Sequence, residues 1–238
     1  MKRQSADPID IVIPVWNEGE NILRVLGAFE RETNSPVRIL ICYDDEADST
    51  LQAIANYRGG LEVVPVKNQG TGAHGAVVTG LHHSHSPAAI TYMADDDYNG
   101  KLIDPMIELF HRGAAVVCPS RFIPGGSMVG CRWQKAALVR TVAFMMHFFA
   151  RLPAHDPTNG FRLFSRELLD RVEIESSEGF TYSIELLVKC HRLRWRIEEL
   201  PAQWFERSKG KSRFRIFRWG PAYLRWFFYA FGSIYLGR

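Results

Sequence analysis

The sequence predicts an α/β protein with a mostly parallel central sheet flanked by helices. Three observations lead there. Short runs of β-branched and aliphatic residues recur at 9–15, 37–43, 61–66, 88–93 and 114–118, and they are continuous rather than alternating, as in strands buried on both faces. Between them lie stretches of helical spacing, of which Ile22, Val25, Leu26 and Phe29 are the clearest. The first four runs lead into polar clusters: Trp16-Asn17-Glu18, Asp44-Asp45, Asn68-Gln69-Gly70 and Asp95 to Asn99. In a parallel sheet these clusters share the C-terminal rim, where ligands of such folds bind.

The elements follow in order. A helix starts at Asn17 or Gly19, another covers 49–57, and 73–83 is helical after the loop 67–72. Asp104 reads as a cap followed by Pro105 at the first helical position, opening a helix to Phe110. Residues 136–152 read as a helix apolar nearly all round, broken by Arg140, His147 and Arg151. Residues 172–177 are a loop or short strand, and 182–193 an amphipathic helix. Residues 196–200 with 203–206 suggest one bent terminal strand, and 219–236 an aromatic helix. The chain of 238 residues is divided into a catalytic domain, 1–212, and a basic-aromatic C-terminal helix, 213–238.

Composition narrows the class. Hydrophobic content of 46% and charged content of 23% suit a globular core. A net charge of +3 is too small to argue for nucleic acid. No acidic residue follows Glu206, whereas Arg207, Lys209, Lys211, Arg213, Arg215, Arg218, Arg225 and Arg238 do. Cys42, Cys118, Cys131 and Cys190 form no C-x-x-C pair and read as free thiols of a reducing compartment. The charged N-terminus does not read as a secretory signal, and no apolar run reaches bilayer length.

Asp95-Asp96-Asp97 is the strongest chemical signal. Adjacent carboxylates repel, so folding alone does not favour them at a sheet rim. In an extended turn Asp95 and Asp97 can point the same way, since side chains alternate. Two carboxylates so placed are a hard-oxygen site for Mg²⁺ or Mn²⁺, which a diphosphate can complete. The alternative is a solvated acidic turn with a helix cap.

Further motifs resolve the choice. Pro14-Val15-Trp16-Asn17-Glu18 resembles the Pro-x-Tyr-Asn-Glu opening of glycosyltransferase family 2. Asp44-Asp45-Glu46-Ala47-Asp48-Ser49-Thr50 resembles its second-strand motif, and Asn68-x-Gly70-x-Gly72-x-x-Gly75 its third loop. Asp95-Asp96-Asp97-Tyr98-Asn99 stands where that family has Asp-Ala-Asp-Leu-Gln. Ser120-Arg121-Phe122 with Gly125-Gly126, then Asp156 to Arg162, then Arg207-x-x-Gly210-x-Ser212, are similar to its dolichol-phosphate (polyprenyl-phosphate) mannosyltransferase branch.

The resemblance implies a GT-A type nucleotide-diphospho-sugar transferase fold and an inverting, metal-dependent hexosyltransferase. It places Pro14, Trp16, Glu18 and Asp45 along the nucleotide of the donor, GDP-mannose or UDP-glucose, with Asp95 and Asp96 beside them. It places the cation, Mg²⁺ or Mn²⁺, on Asp95, Asp97 and Asn99. Asp97, Asp156 and Arg207 become the catalytic candidates, with Arg207 closing over the donor diphosphate. Arg121, Lys135 and Arg140 become candidates for the phosphate of a polyprenyl-phosphate acceptor. Of the three aspartates, Asp96 is expected to point away and to tolerate change best. Trp16 for tyrosine, a shortened Asp45–Asp48 spacing and Asn99 for glutamine are departures, and they leave the nucleotide open.

Competing readings remain for several residues. The glycine-rich loop can cradle phosphate or simply turn tightly. His74, His82, His83 and His85 are irregularly spaced for metal, and cationic His suits a helix C-terminus. Glu185 is a solvated face residue or, by resemblance, an acid near the donor sugar. The tail mixes Arg and Lys with aromatic residues, which suits a peripheral helix in a cytoplasmic membrane interface. Packing on the core, a homodimer contact or a membrane-protein partner are its alternatives. For the whole chain the alternatives are transfer to a glycan, glycolipid or diacylglycerol hydroxyl, a sugar-nucleotide pyrophosphorylase, and a non-catalytic relative.

Overall fold

The computed structural model describes residues 7–205 and 216–235. In the first half the chain alternates strand and helix: β1 (Ile9–Pro14), α1 (Gly19–Glu32), β2 (Val37–Tyr43), α2 (Ser49–Ala55), β3 (Glu62–Lys67), α3 (Gly72–His83), β4 (Ala88–Thr91), α4 (Ile103–His111) and β5 (Val116–Ser120). The second half holds β6 (Ser127–Val129), α5 (Trp133–Phe148), β7 (Arg162–Ser165), α6 (Arg166–Arg171), α7 (Thr181–Arg192), β8 (Ile197–Pro201), β9 (Gln203–Phe205) and α8 (Ile216–Tyr235). Among the described residues seven strands form one sheet, in the order β3-β2-β1-β4-β7-β5-β8. The first four are parallel, β7 runs antiparallel to both neighbours, and β8 is parallel to β5. The sheet is therefore mostly parallel, as expected.

Two cores lie on the two faces, and strand alternation assigns residues to them. Val12, Leu40 and Cys42 pack with α3 and α7 on one face. Ile11, Ile13, Ile39 and Ile41 pack with α1 and α4 on the other. Helix α1 shows how spacing becomes position: Ile22, Val25, Leu26 and Phe29 are all fully buried. Each such burial contributes about 1.5–3 kcal/mol.

Four expectations need correction. The strand β7 has no counterpart in the sequence reading, because it is short and opens on a charge. Arg162 is fully buried there and donates to the carbonyls of Ser183 (2.7 Å) and Asp156 (2.9 Å). The bent terminal strand is two strands: the chain leaves the main sheet at Pro201, and β9 pairs with β6 in a separate parallel pair. Asp104 is not a cap. A 3₁₀ turn (Gly100–Leu102) leads into α4, and Asp104 accepts hydrogen bonds from the backbone N–H of Asn34 (2.8 Å) and Ser35 (3.0 Å). Helix α5 begins and ends earlier than the apolar run suggested, at Trp133 and Phe148.

Candidate functional site

The rim is assembled by buried polar groups that tie one loop to the next. Asn17 adopts a left-handed backbone (φ 55°), which turns its N–H onto both carboxylate oxygens of Asp48 at 3.0 Å. Asp48 also caps α2 through the Thr50 N–H (2.8 Å), and the Glu18 N–H donates to the Thr50 hydroxyl (3.0 Å). The loop after β1 is thereby clipped to the start of α2. Trp16 is left 44% exposed on the rim, Pro14 and Glu18 are half-buried, and Asp45 is exposed. Asp45 accepts from the Ala47 N–H (2.9 Å) and so holds its own turn.

The glycine-rich loop is explained by close packing. A Cβ on Gly75 would stand 2.8 Å from the Gly70 carbonyl carbon, and Gly72 has φ +62°. Asn68 bonds the Asp44 carboxylate and accepts from the Gly70 N–H (2.8 Å). A tight turn accounts for the glycines without a phosphate.

Asp95 is the fourth residue beyond the end of β4, so the acidic turn lies further out than the sequence suggested. Asp95 and Asp97 are half-buried, and Asp96 is only 7% exposed. Asp96 points away from solvent, but it is not the dispensable member expected. Its Oδ1 accepts from the N–H groups of Asn99 (3.0 Å) and Tyr98 (3.3 Å), and its Oδ2 from the Asn99 side-chain amide (2.7 Å). Burial pushes its carboxyl up to about 6, against the pull of those bonds. It is part of the turn's frame.

Asn99 also departs from its expected role as a metal ligand. It is 3% exposed, and its amide donates to the Gln203 carbonyl (2.8 Å) while its Oδ1 accepts from the Gln203 N–H (3.2 Å). A side chain bonded in this way holds strand β9. Among the described residues no three His, Cys, Asp or Glu side chains converge as a metal cage. Asp95 and Asp97 still fit a hard divalent cation as two rim carboxylates, the remaining oxygens coming from a diphosphate and water. Arg24 on α1, which the sequence did not single out, lies with its Nε 3.7 Å from Asp97 Oδ2. An arginine on the outer face of an amphipathic helix gives no signal of that placement.

Asp156 and Arg121 form one unit. Arg121 donates through Nε (2.6 Å) and Nη2 (2.8 Å) to the two oxygens of Asp156, and through Nη2 to the Thr158 hydroxyl (2.8 Å). Asp156 is fully buried. Burial would raise its carboxyl, but the Arg121 guanidinium and its hydrogen bonds hold it below the ordinary 3.8. In this arrangement both oxygens of Asp156 are engaged by Arg121 and neither faces solvent. Arg121 is likewise engaged by Asp156 and Thr158. Arg140 is exposed and lies over the Phe122 ring (5.9 Å), and Lys135 lies over the Trp204 ring (4.8 Å). Of the three acceptor candidates, Arg140 is the one the structure leaves at the surface. Arg207 lies outside the described residues.

Glu185 is not a solvated face residue. It is fully buried, pairs with Lys189 (2.8 Å), and accepts from the N–H groups of Glu175 (2.7 Å) and Ser176 (2.8 Å). His82, His83 and His85 are exposed at the end of α3, while His74 is buried, so the histidines do not gather. All four cysteines are free, and Cys42, Cys118 and Cys190 are buried.

The helices α5 and α8 touch, and each leaves large apolar residues exposed. On α5 the exposed residues Trp133, Ala137, Thr141, Phe144 and Phe148 recur at helical spacing. On α8, Trp226 and Ala230 are buried, and Arg225 pairs with Glu175. Leu224 and Phe228, one turn apart, are exposed. No helix among the described residues is long and apolar enough to cross a membrane.

Known proteins are similar to this chain in sequence and fold. The sequence profile described as Glycosyl transferase family 2 matches residues 10–173, which include all the rim clusters and Asp156. The chain is 24% identical to polyprenol monophosphomannose synthase of Mycolicibacterium smegmatis, over 88% of this chain and 86% of that one. It is 28% identical to dolichyl-phosphate hexose transferase of Haloferax volcanii, over 93% of both. Its fold is similar to that of glucosyl-3-phosphoglycerate synthase from Mycobacterium tuberculosis, solved with Mn²⁺, uridine diphosphate and glucosyl-3-phosphoglycerate. The TM-score is 0.67 at 17% identity, covering 95% of this chain and 80% of that one. The same protein has also been solved with Mg²⁺ and uridine diphosphate (TM-score 0.65, 20% identity, 95% of this chain and 79% of that one). These likenesses identify the fold as the GT-A architecture.

Proposed function

The chain belongs to glycosyl transferase family 2, and on that premise we propose that it moves a hexose, mannose or glucose, from a nucleotide-diphosphate sugar to a polyprenyl or dolichyl phosphate, with inversion. The observation that carries this reading is the acidic turn on the rim, with Asp95 and Asp97 accessible and Asp96 turned inward. The two relatives named for polyprenol and dolichyl phosphate products support the acceptor class.

The chemistry asks little of a protein base. A phosphate monoester has its second pKa near about 6, so the acceptor is largely dianionic at neutral pH. One of its oxygens attacks the anomeric carbon as the bond from that carbon to the diphosphate oxygen breaks. The products are the glycosyl phospholipid and a nucleoside diphosphate, and no proton need move. A hydroxyl acceptor would need a base, and Asp156 is engaged by Arg121.

The protein's work is to orient both substrates and to manage charge. Trp16, Pro14, Glu18 and Asp45 border the nucleotide's place on the rim. Asp95 and Asp97 would hold Mg²⁺ or Mn²⁺, which when bound supplies positive charge to the departing diphosphate. Arg207 would add a second positive charge there. Arg140 and Lys135 would meet the acceptor phosphate.

The apolar surface of α5 and α8 would rest on the cytoplasmic face of a membrane, where the acceptor lives. Trp133 is 76% exposed, Phe148 64% and Phe228 65%, more than scattered surface residues require. The test is transfer of labelled mannose or glucose from GDP-mannose or UDP-glucose to polyprenyl phosphate in vesicles with Mg²⁺ or Mn²⁺. Label in the lipid phase supports the reading. Transfer only to glycan, glycolipid or diacylglycerol hydroxyls would replace the acceptor class, and no transfer from any nucleotide sugar would overturn it.

A further inference from the structure

Asp96, Tyr98 and Asn99 converge on strand β9. The Asn99 amide bonds the Gln203 backbone as a neighbouring strand would, donating to its carbonyl (2.8 Å) and accepting from its N–H (3.2 Å). The second amide hydrogen goes to Asp96 Oδ2 (2.7 Å), and Asp96 Oδ1 accepts from the Asn99 N–H (3.0 Å). One residue along, the Tyr98 hydroxyl accepts from the Phe205 N–H (3.3 Å), and the two rings meet edge to face at 4.8 Å. We propose that Asp96, Tyr98 and Asn99 are positioning residues, a latch that fixes the acidic turn to β9 and so sets the spacing of Asp95 and Asp97. The latch rests on the donor-site reading above for its purpose, though not for its existence.

The polarity of the latch leaves it few alternatives. Asp96 has only acceptors and Asn99 presents its donors to it, while both sides of the Asn99 amide are fixed by Gln203. Flipping that amide would set donor against donor and acceptor against acceptor. Buried polar groups mismatched in this way cost more than the bonds they replace. Each position at which the turn departs from the Asp-Ala-Asp-Leu-Gln pattern, namely Asp96, Tyr98 and Asn99, is a member of the latch. The departures therefore act together: the side chain in the place of a ligand is redirected to β9, and its neighbours supply the partners it needs.

Asn99→Asp separates the two roles. A carboxylate is the better ligand for a hard cation, so a ligand at 99 would keep or tighten Mn²⁺-dependent binding of GDP or UDP. The latch instead predicts binding weaker by about tenfold or more, because a carboxyl offers at most one hydrogen where the Asn99 amide supplied two, to Asp96 and to the Gln203 carbonyl. The double variant Asp96→Asn with Asn99→Asp restores one donor–acceptor pair, and part of the binding should return. Amide exchange in the metal-free protein gives a second readout. Asn99→Ala should speed exchange at Gln203, and Tyr98→Phe at Phe205, each by about tenfold or more. Tyr98→Phe removes a single oxygen and guards against a variant that simply fails to fold. Unchanged exchange at both amides, or Asn99→Asp binding as tightly as the natural protein, would overturn the latch. A natural protein that binds no nucleoside diphosphate at all would instead overturn the donor-site reading, while the exchange data would still decide the latch.

Discussion

Above β1 to β4, buried carboxylates organise backbone N–H groups: Asp48 holds Asn17 and Thr50, and Asp96 holds Tyr98 and Asn99. Helix α5 is the reverse case. It runs sixteen residues yet buries only Ala143 and Met146. One region buries charge to present a few chosen polar groups, and the other leaves apolar residues uncovered. On the function proposed, the difference separates positions that set geometry from positions that set attachment. A substitution on the rim should change affinity or stability in steps, whereas one on α5 should change where the protein resides and leave its fold alone.

The largest expected effect comes from removing a rim carboxylate. Asp97→Ala should lower transfer on the order of a thousandfold, as loss of several kcal/mol of charge stabilisation implies, with little change in melting temperature. A single-turnover transfer assay beside a thermal melt checks both halves. The buried pair comes next. Asp156→Ala leaves Arg121 without its partner and should cost about 3–5 kcal/mol of stability, measured by urea unfolding. Replacing both residues by apolar ones of similar volume should recover most of that loss, because the desolvation of both charges disappears as well.

Asp156 also makes a pH prediction. Its folded carboxyl lies below 3.8, so the stability it contributes is present above that value and is lost as the pH falls through the folded value. Carbon chemical shifts of its carboxyl should therefore show no titration between about pH 5 and 8. A titration there would favour Asp156 as a base.

On the apolar side, Phe144→Ser with Phe148→Ser should weaken binding to anionic vesicles by about tenfold or more, from lost apolar burial. Their stability in solution should stay within about 0.5 kcal/mol of the natural protein. The smallest effect is at the clip between β1 and α2, where Asp48→Ala should cost about 0.5–2 kcal/mol. Vesicle flotation and thermal melts measure these two.

Legibility in the sequence followed the same division. The parallel half was readable because β1, β2 and β4 are buried along most of their length and helices separate the strands; the range expected for β2 matches the structure. Strand β7 was hidden because Arg162 opens it, and a buried charge balanced by distant carbonyls leaves no pattern in one dimension. The acidic turn was readable as chemistry, since repelling carboxylates require a reason. The roles within it were not. Which aspartate faces inward depends on Gln203, which lies 104 residues from Asn99 and meets it through backbone atoms. The Asp156–Arg121 pair was missed for the same reason: each residue matched a motif, but nothing in either motif showed that they bind each other.

The most direct test of the donor rim is calorimetric titration of the purified protein with GDP and with UDP, each with and without Mn²⁺. One nucleotide should bind only when Mn²⁺ is present, and Asp97→Ala should abolish that binding while Phe144→Ser leaves it unchanged. Equal binding without the cation, or binding by Asp97→Ala as tight as by the natural protein, would contradict the assignment of the acidic turn as the donor site.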